Sequence, residues 1–140
     1  MPDQGGTPPG PHEPAIEDVL GPLGAAVMRE VWARGEASVS TVVEALNDER
    51  PRPLAYTTVM TIMARLFERG FLERERRGRQ HVYRAAGDEA SLIETMGGQA
   101  VDRLLARYGA TALRRFAHRL ADADPDLRDQ ILELASRRTR

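Results

Sequence analysis

Val59, Ile62, Met63, Leu66 and Phe67 recur at the i, i+3, i+4, i+7, i+8 interval of a helix with one buried face. Gly70 follows closely and is expected to end the helix. This run constrains everything around it. At roughly 100° per residue, Thr57, Thr58, Thr61, Arg65 and Glu68 gather on the opposite side within an arc of about 100°. Directly beyond, "FLERERRGRQHVYR" predicts two strands around an Arg77–Gly78 turn, with Val82 and Tyr83 facing a core.

Two helices come before it. In "GPLGAAVMREVWARG", Pro22 suits a first turn and Gly35 the position just past the end, while Leu23, Val27 and Val31 with Trp32 form an apolar stripe. A short extended piece is expected at Ala37–Val39. A second helix follows, with Ser40 as its N-cap and Val42, Val43 and Leu46 inward. "DERPRP" is a charged turn, because two prolines cannot continue a helix. Three helices and a hairpin, in that order, predict a winged helix-turn-helix domain over residues 15–86. The preceding "MPDQGGTPPGPHEP" holds five Pro and three Gly and reads as a disordered tail over residues 1–14.

Residues 87–140 are predicted to be helical. "DEASLIETMGGQAVDRLLARYG" carries Leu92, Ile93, Met96, Ala100, Val101, Leu104, Leu105 and Tyr108 in a broad stripe. Gly97 and Gly98 interrupt it at about 1 kcal/mol each relative to Ala, so a kink or a close helix contact is expected there. "TALRRFAHRLA" places Leu113, Phe116 and Leu120 on one face. "DPDLRDQILELASRRTR" starts with Asp124 as N-cap and Pro125 in the first turn, and repeats Leu127, Ile131 and Leu134. Three amphipathic helices of this size make a poor core alone. They are expected to pack against a second copy and form a homodimer. The fold class is therefore mainly α, a winged helix-turn-helix domain followed by a helical dimerisation domain.

The net charge of −1 conceals a strong asymmetry. Residues 1–50 hold three Arg and nine Asp/Glu, whereas residues 51–84 hold eight Arg and three Glu. Local charge governs attraction to phosphate better than the total does. The threonine strip matters beside that cationic block. A face that meets only water is usually built from better helix formers than Thr. A helix entering the major groove instead needs short hydroxyls, methyls for thymine and a longer cation. Ala55, Tyr56, Thr57, Thr58, Thr61 and Arg65 are the candidates for that role. Ser40, Thr41, Arg52, Arg76, Arg77, Arg79 and His81 are the candidates for the DNA backbone and the wing. If the arginines serve only to solubilise the surface, Arg74 pairs with Glu73 or Glu75.

Other chemistry finds no support. There are no cysteines, and His12, His81 and His118 are scattered, so neither thiol catalysis nor a metal site is indicated. No Ser/His/Asp arrangement, paired carboxylate site or phosphate-cradling glycine loop is present, so no enzyme and no cofactor is expected. No apolar run approaches the ~18 residues of a membrane span, and nothing resembles a signal peptide. A soluble cytoplasmic protein that does not insert into membranes is expected.

"LGPLGAAVMREVWARGEASVSTVVEALN" and "LAYTTVMTIMARLFERGFLERERRGRQHVYR" together resemble the penicillinase repressor family, BlaI and MecI, with CopY as a copper-responsive relative. The resemblance covers roughly residues 20–85 and extends more weakly into the C-terminal helices. It implies a homodimeric repressor of palindromic operators of β-lactamase and regulatory genes, contacting DNA through residues 55–65. It also implies a membrane-bound BlaR-type sensor-protease that triggers cleavage of an Asn–Phe bond in the dimerisation domain. The matching bond is Arg115–Phe116, where Arg stands in place of Asn. Without cysteines, the copper-responsive mechanism is excluded. Two alternatives are a MarR-like winged-helix repressor released by a small molecule, and a docking module whose arginines meet an acidic protein.

Overall fold

The computed structural model describes residues 13–138; the expected tail over residues 1–14 lies, apart from its last two residues, outside them. Nine elements follow in order: α1 (Ile16–Arg34), β1 (Ala37–Ser38), α2 (Val39–Asn47), α3 (Tyr56–Glu68), β2 (Leu72–Arg77), β3 (Gln80–Ala85), α4 (Glu89–Tyr108), α5 (Ala110–Ala121) and α6 (Pro125–Arg137). The contacts divide the chain into two units, with Pro14–Met96 in one and Gly97 onward in the other.

α1 starts earlier than its sequence suggests. Gly21 breaks it with φ 78° and ψ 172°, a conformation strained for any residue with a Cβ. Pro22, which has no N–H to offer, restarts the helix there. Gly35 ends it, its N–H bonded to the Val31 carbonyl at 2.9 Å. The N-cap of α2 is Ser38 rather than Ser40. Ser38 Oγ accepts from the Thr41 N–H at 3.2 Å, because β1 delivers Ser38 in the extended conformation that a cap requires. Ser40 lies inside the first turn and is exposed.

β1, β3 and β2 form one antiparallel sheet in that order, with Ala37 opposite Tyr83 and Glu75 opposite Val82. Arg77 pairs with Gln80, so the hairpin loop is Gly78–Arg79 rather than Arg77–Gly78. Gly78 has φ 66°, as the first position of a II′-type two-residue loop demands.

The core of this unit is aliphatic. Val27, Met28 and Val31 from α1, Val42 from α2, and Val59, Met63 and Leu66 from α3 close over Phe71, Leu72 and Tyr83. Phe71 is fully buried, and its backbone bonds to Leu66 and Ala86 tie α3 to the sheet. Each such side chain contributes roughly 1.5–3 kcal/mol through burial.

By contacts, the division between the two units falls inside α4, after Met96. Leu92 is buried in the core, with Ile93 and Met96 packed against it. Trp32 Nε1 donates to the Gly87 carbonyl at 2.9 Å, and Glu89 Oε1 accepts the Ile16 N–H at 2.8 Å. The first two turns of α4 thus belong to the winged-helix unit. Leu92 and Met96, expected at a dimer interface, serve the core of their own chain.

From Gly97 onward none of the described residues is buried. α4 continues as one helix through Gly97 and Gly98, and a Cβ built on either would meet nothing within 4 Å. The expected close contact at these glycines is not made among the described residues. Asp124 caps α6 as expected, accepting from the Asp126 N–H at 2.9 Å, with Pro125 in the first turn.

Candidate nucleic-acid interface

α2 and α3 form the helix-turn-helix, and Asn47 fixes the turn between them. Its Nδ2 donates to the Leu54 carbonyl at 3.0 Å, and its Oδ1 accepts the Leu54 N–H at 2.7 Å. One side chain therefore closes both ends of the "DERPRP" turn. Nothing in the local sequence marks Asn47 for this role.

α3 divides as its periodicity requires. Val59, Met63 and Leu66 are buried, while Tyr56, Thr57, Thr58, Thr61 and Arg65 are exposed, with Ala55 exposed at the N-cap. Met60 belongs to the outward face too, a residue that the polar pattern passed over. Thr61 Oγ1 donates to the Thr57 carbonyl at 2.9 Å. Of the α2 candidates, Ser40 is exposed, whereas the half-buried Thr41 hydroxyl lies 3.0 Å from Ser38 Oγ. Arg52 is exposed and makes no ion pair among the described residues.

The wing arginines are not equivalent. Arg77 Nη1 and Nη2 meet the Glu36 carboxylate at 2.7 and 3.1 Å, and Arg77 also pairs with Glu75. These bonds hold the Glu36 carboxyl below its ordinary range and push the Arg77 guanidinium up. Arg77 thereby ties the wing to the turn after α1. Arg76 Nε donates to the Gly78 carbonyl at 3.2 Å, while exposed Arg79 has no partner among the described residues. Arg74 does not pair with Glu73 or Glu75. Its guanidinium lies 3.9 Å from the Phe67 ring centroid, because half-buried Phe67 offers an aromatic face beside β2. His81 is half-buried beside Tyr83, with a buried Nδ1 that has no partner among the described residues.

Beside α3, a groove of about 340 Å³ opens between the α1 break and Ile62 and Leu66, with Arg65 and Arg69 among its lining. In the second unit, Leu104, Leu113, Phe116, Ile131 and Leu134 are exposed, and so are Val101, Tyr108 and Leu132. Leu105, Leu120 and Leu127 are half-exposed. Arg115 and Phe116 lie in the middle of α5, both exposed. No helix among the described residues is long and apolar enough to cross a membrane.

The family model described as penicillinase repressor matches residues 20–137. The transcriptional regulator BlaI, in each of two Mycobacterium tuberculosis strains, is 36% identical over 121 residues, covering 82% of this chain and 84% of the relative.

Proposed function

The chain belongs to the penicillinase repressor family, and from that premise we propose that it works as a homodimeric transcriptional repressor of palindromic operator DNA. The regulated genes are of the β-lactamase type, and a membrane-bound BlaR-type sensor-protease signals release. One observation carries the DNA-binding part. α3 buries Val59, Met63 and Leu66 and turns Thr57, Thr58, Thr61 and Arg65 outward beside an arginine-bearing wing.

In this reading α3 enters the major groove, and Arg52, Arg76 and Arg79 follow the phosphates. Arg77 holds the wing in place from behind. Dimerisation is supported by the second unit, where Leu104, Leu113, Phe116, Ile131 and Leu134 are exposed among the described residues. Light scattering at micromolar concentration should give about twice 15.5 kDa. A monomer that still bound a palindrome tightly would count against it.

Genomic fragments selected with the purified protein test the function. Enriched fragments should carry an inverted repeat near β-lactamase or regulatory genes, with affinity at least 10³-fold above random DNA. Equal affinity for both would favour a docking module for acidic partners.

A further inference from the structure

A threonine on the outer face of a recognition helix offers a hydroxyl and a methyl. In Thr61 the hydroxyl proton is already committed, since Oγ1 donates to the Thr57 carbonyl at 2.9 Å within the helix. What remains for an incoming base is the methyl and the acceptor side of the oxygen. Met60 stands beside it, 42% exposed, and Tyr56, one turn earlier, is 49% exposed. A single exposed apolar residue is ordinary on a protein surface. Two of them adjoining a back-bonded threonine make an apolar patch, and the core behind is already filled by Val59, Met63 and Leu66. Thr57, Thr58 and Arg65 share the outward face with that patch.

In the major groove, the apolar group on a base-pair edge is the thymine C5 methyl. Resting on the reading of α3 as the recognition helix, we propose that Met60 and the Thr61 methyl read thymine methyl groups. At those positions the operator is then chosen by apolar contact, and the hydrogen-bonding choices fall to Thr57, Thr58 and Arg65. A flexible thioether suits such a contact, because it can settle onto a methyl without a fixed angle.

The test begins with the tightest duplex that the full chain selects from a randomised pool. Each thymine is replaced in turn by deoxyuridine, which removes only the C5 methyl. Wild-type affinity should fall about fourfold per methyl lost in a half-site, the value of one buried methyl-sized group. Thr61→Val keeps the methyl and should keep operator affinity, whereas Thr61→Ser should lose about fourfold per half-site and become indifferent to deoxyuridine at one thymine of each half-site. Met60→Ala should become indifferent at another thymine, and Met60→Leu should stay sensitive there. Both positions are exposed, so the melting temperature of each variant should stay close to that of wild type.

Tolerance of deoxyuridine at every thymine overturns the proposal. So does a Thr61→Ser chain that binds like wild type while Thr61→Val fails. A selection that enriches no duplex overturns the repressor reading as well, whereas enrichment without a deoxyuridine-sensitive thymine overturns this inference alone.

Discussion

Arg77 and Arg79 are close neighbours on the wing, yet only Arg77 has partners among the described residues. Arg79 is free among the described residues, whereas Arg77 is held by Glu36 and Glu75. A cation that neutralises a phosphate releases counterions and adds about 0.9 to the slope of affinity against salt. Arg79→Ala should therefore lower that slope by about one per bound half-site. Arg77→Ala should leave it nearly unchanged, and replacing both Glu36 and Glu75 by Gln should steepen it by freeing Arg77 for phosphate. Binding titrations across a salt series decide between these outcomes. The sign of the pH effect follows from Glu36, whose carboxyl the Arg77 hydrogen bonds hold below the ordinary value of 4.5. A lowered carboxyl contributes fully above that ordinary value and loses its contribution as the pH falls through the lower, folded value. The tether should thus be intact throughout the neutral range and fail only in acid.

At the scale of elements, Asn47 carries more than its exposure suggests. Asn47→Ala would remove both bonds that close the α2–α3 turn and leave the part-buried Leu54 N–H unpaired. An unsatisfied group of that kind costs about 1–3 kcal/mol. Denaturant unfolding should show a loss of that size, with operator affinity falling as α3 loses its fixed entry angle. Asn47→Asp keeps the acceptor for the Leu54 N–H but not the donor, and should lie between the two. A variant as stable as wild type would show that the proline-bearing turn holds its own shape. The same elements show what a sequence discloses. The buried face of α3 was legible because Val59, Met63 and Leu66 follow one period. The Ser38 cap and the Gly78–Arg79 loop were missed by one or two residues, since "SVS" and "RRGR" satisfy the local rules in more than one register. The Glu36–Arg77 tether and the Arg74–Phe67 contact were not legible at all. Each depends on the sheet bringing together side chains that no local pattern relates. Thr61 fell between these cases: its outward place was readable, but not the bond that engages its hydroxyl.

For the whole molecule, the division inside α4 decides where the chain can be cut. By sequence the winged-helix domain is expected to end at residue 86, while the core of that unit takes in Leu92, with Met96 packed against it. Truncation after Arg84 would remove Leu92 from that core, with the Trp32–Gly87 bond and the Glu89 acceptor for the Ile16 N–H. Losing a buried leucine alone typically costs about 2–5 kcal/mol, and this truncation should melt well below the full chain. Truncation after Met96 keeps all of these contacts and removes only residues among which none described is buried. It should fold with a cooperative transition and scatter as a monomer. Its affinity for a palindrome should fall about 10²–10⁴-fold, because the second half-site is no longer bound from an effective concentration set by the first. Its affinity for a single half-site should match that of the full chain, so the loss belongs to linkage rather than to damaged α3. Cleavage at Arg115–Phe116 would act by the same route, parting α6 with Leu127, Ile131 and Leu134 from the rest of its unit. That bond lies in mid-helix, so α5 must unwind before a protease can hold it in extended form. The cleaved chain should then bind a palindrome no better than the Met96 truncation. If either form gripped the palindrome as tightly as the full chain, release by loss of dimerisation would be wrong. The inducing signal would then have to act on the winged-helix unit itself.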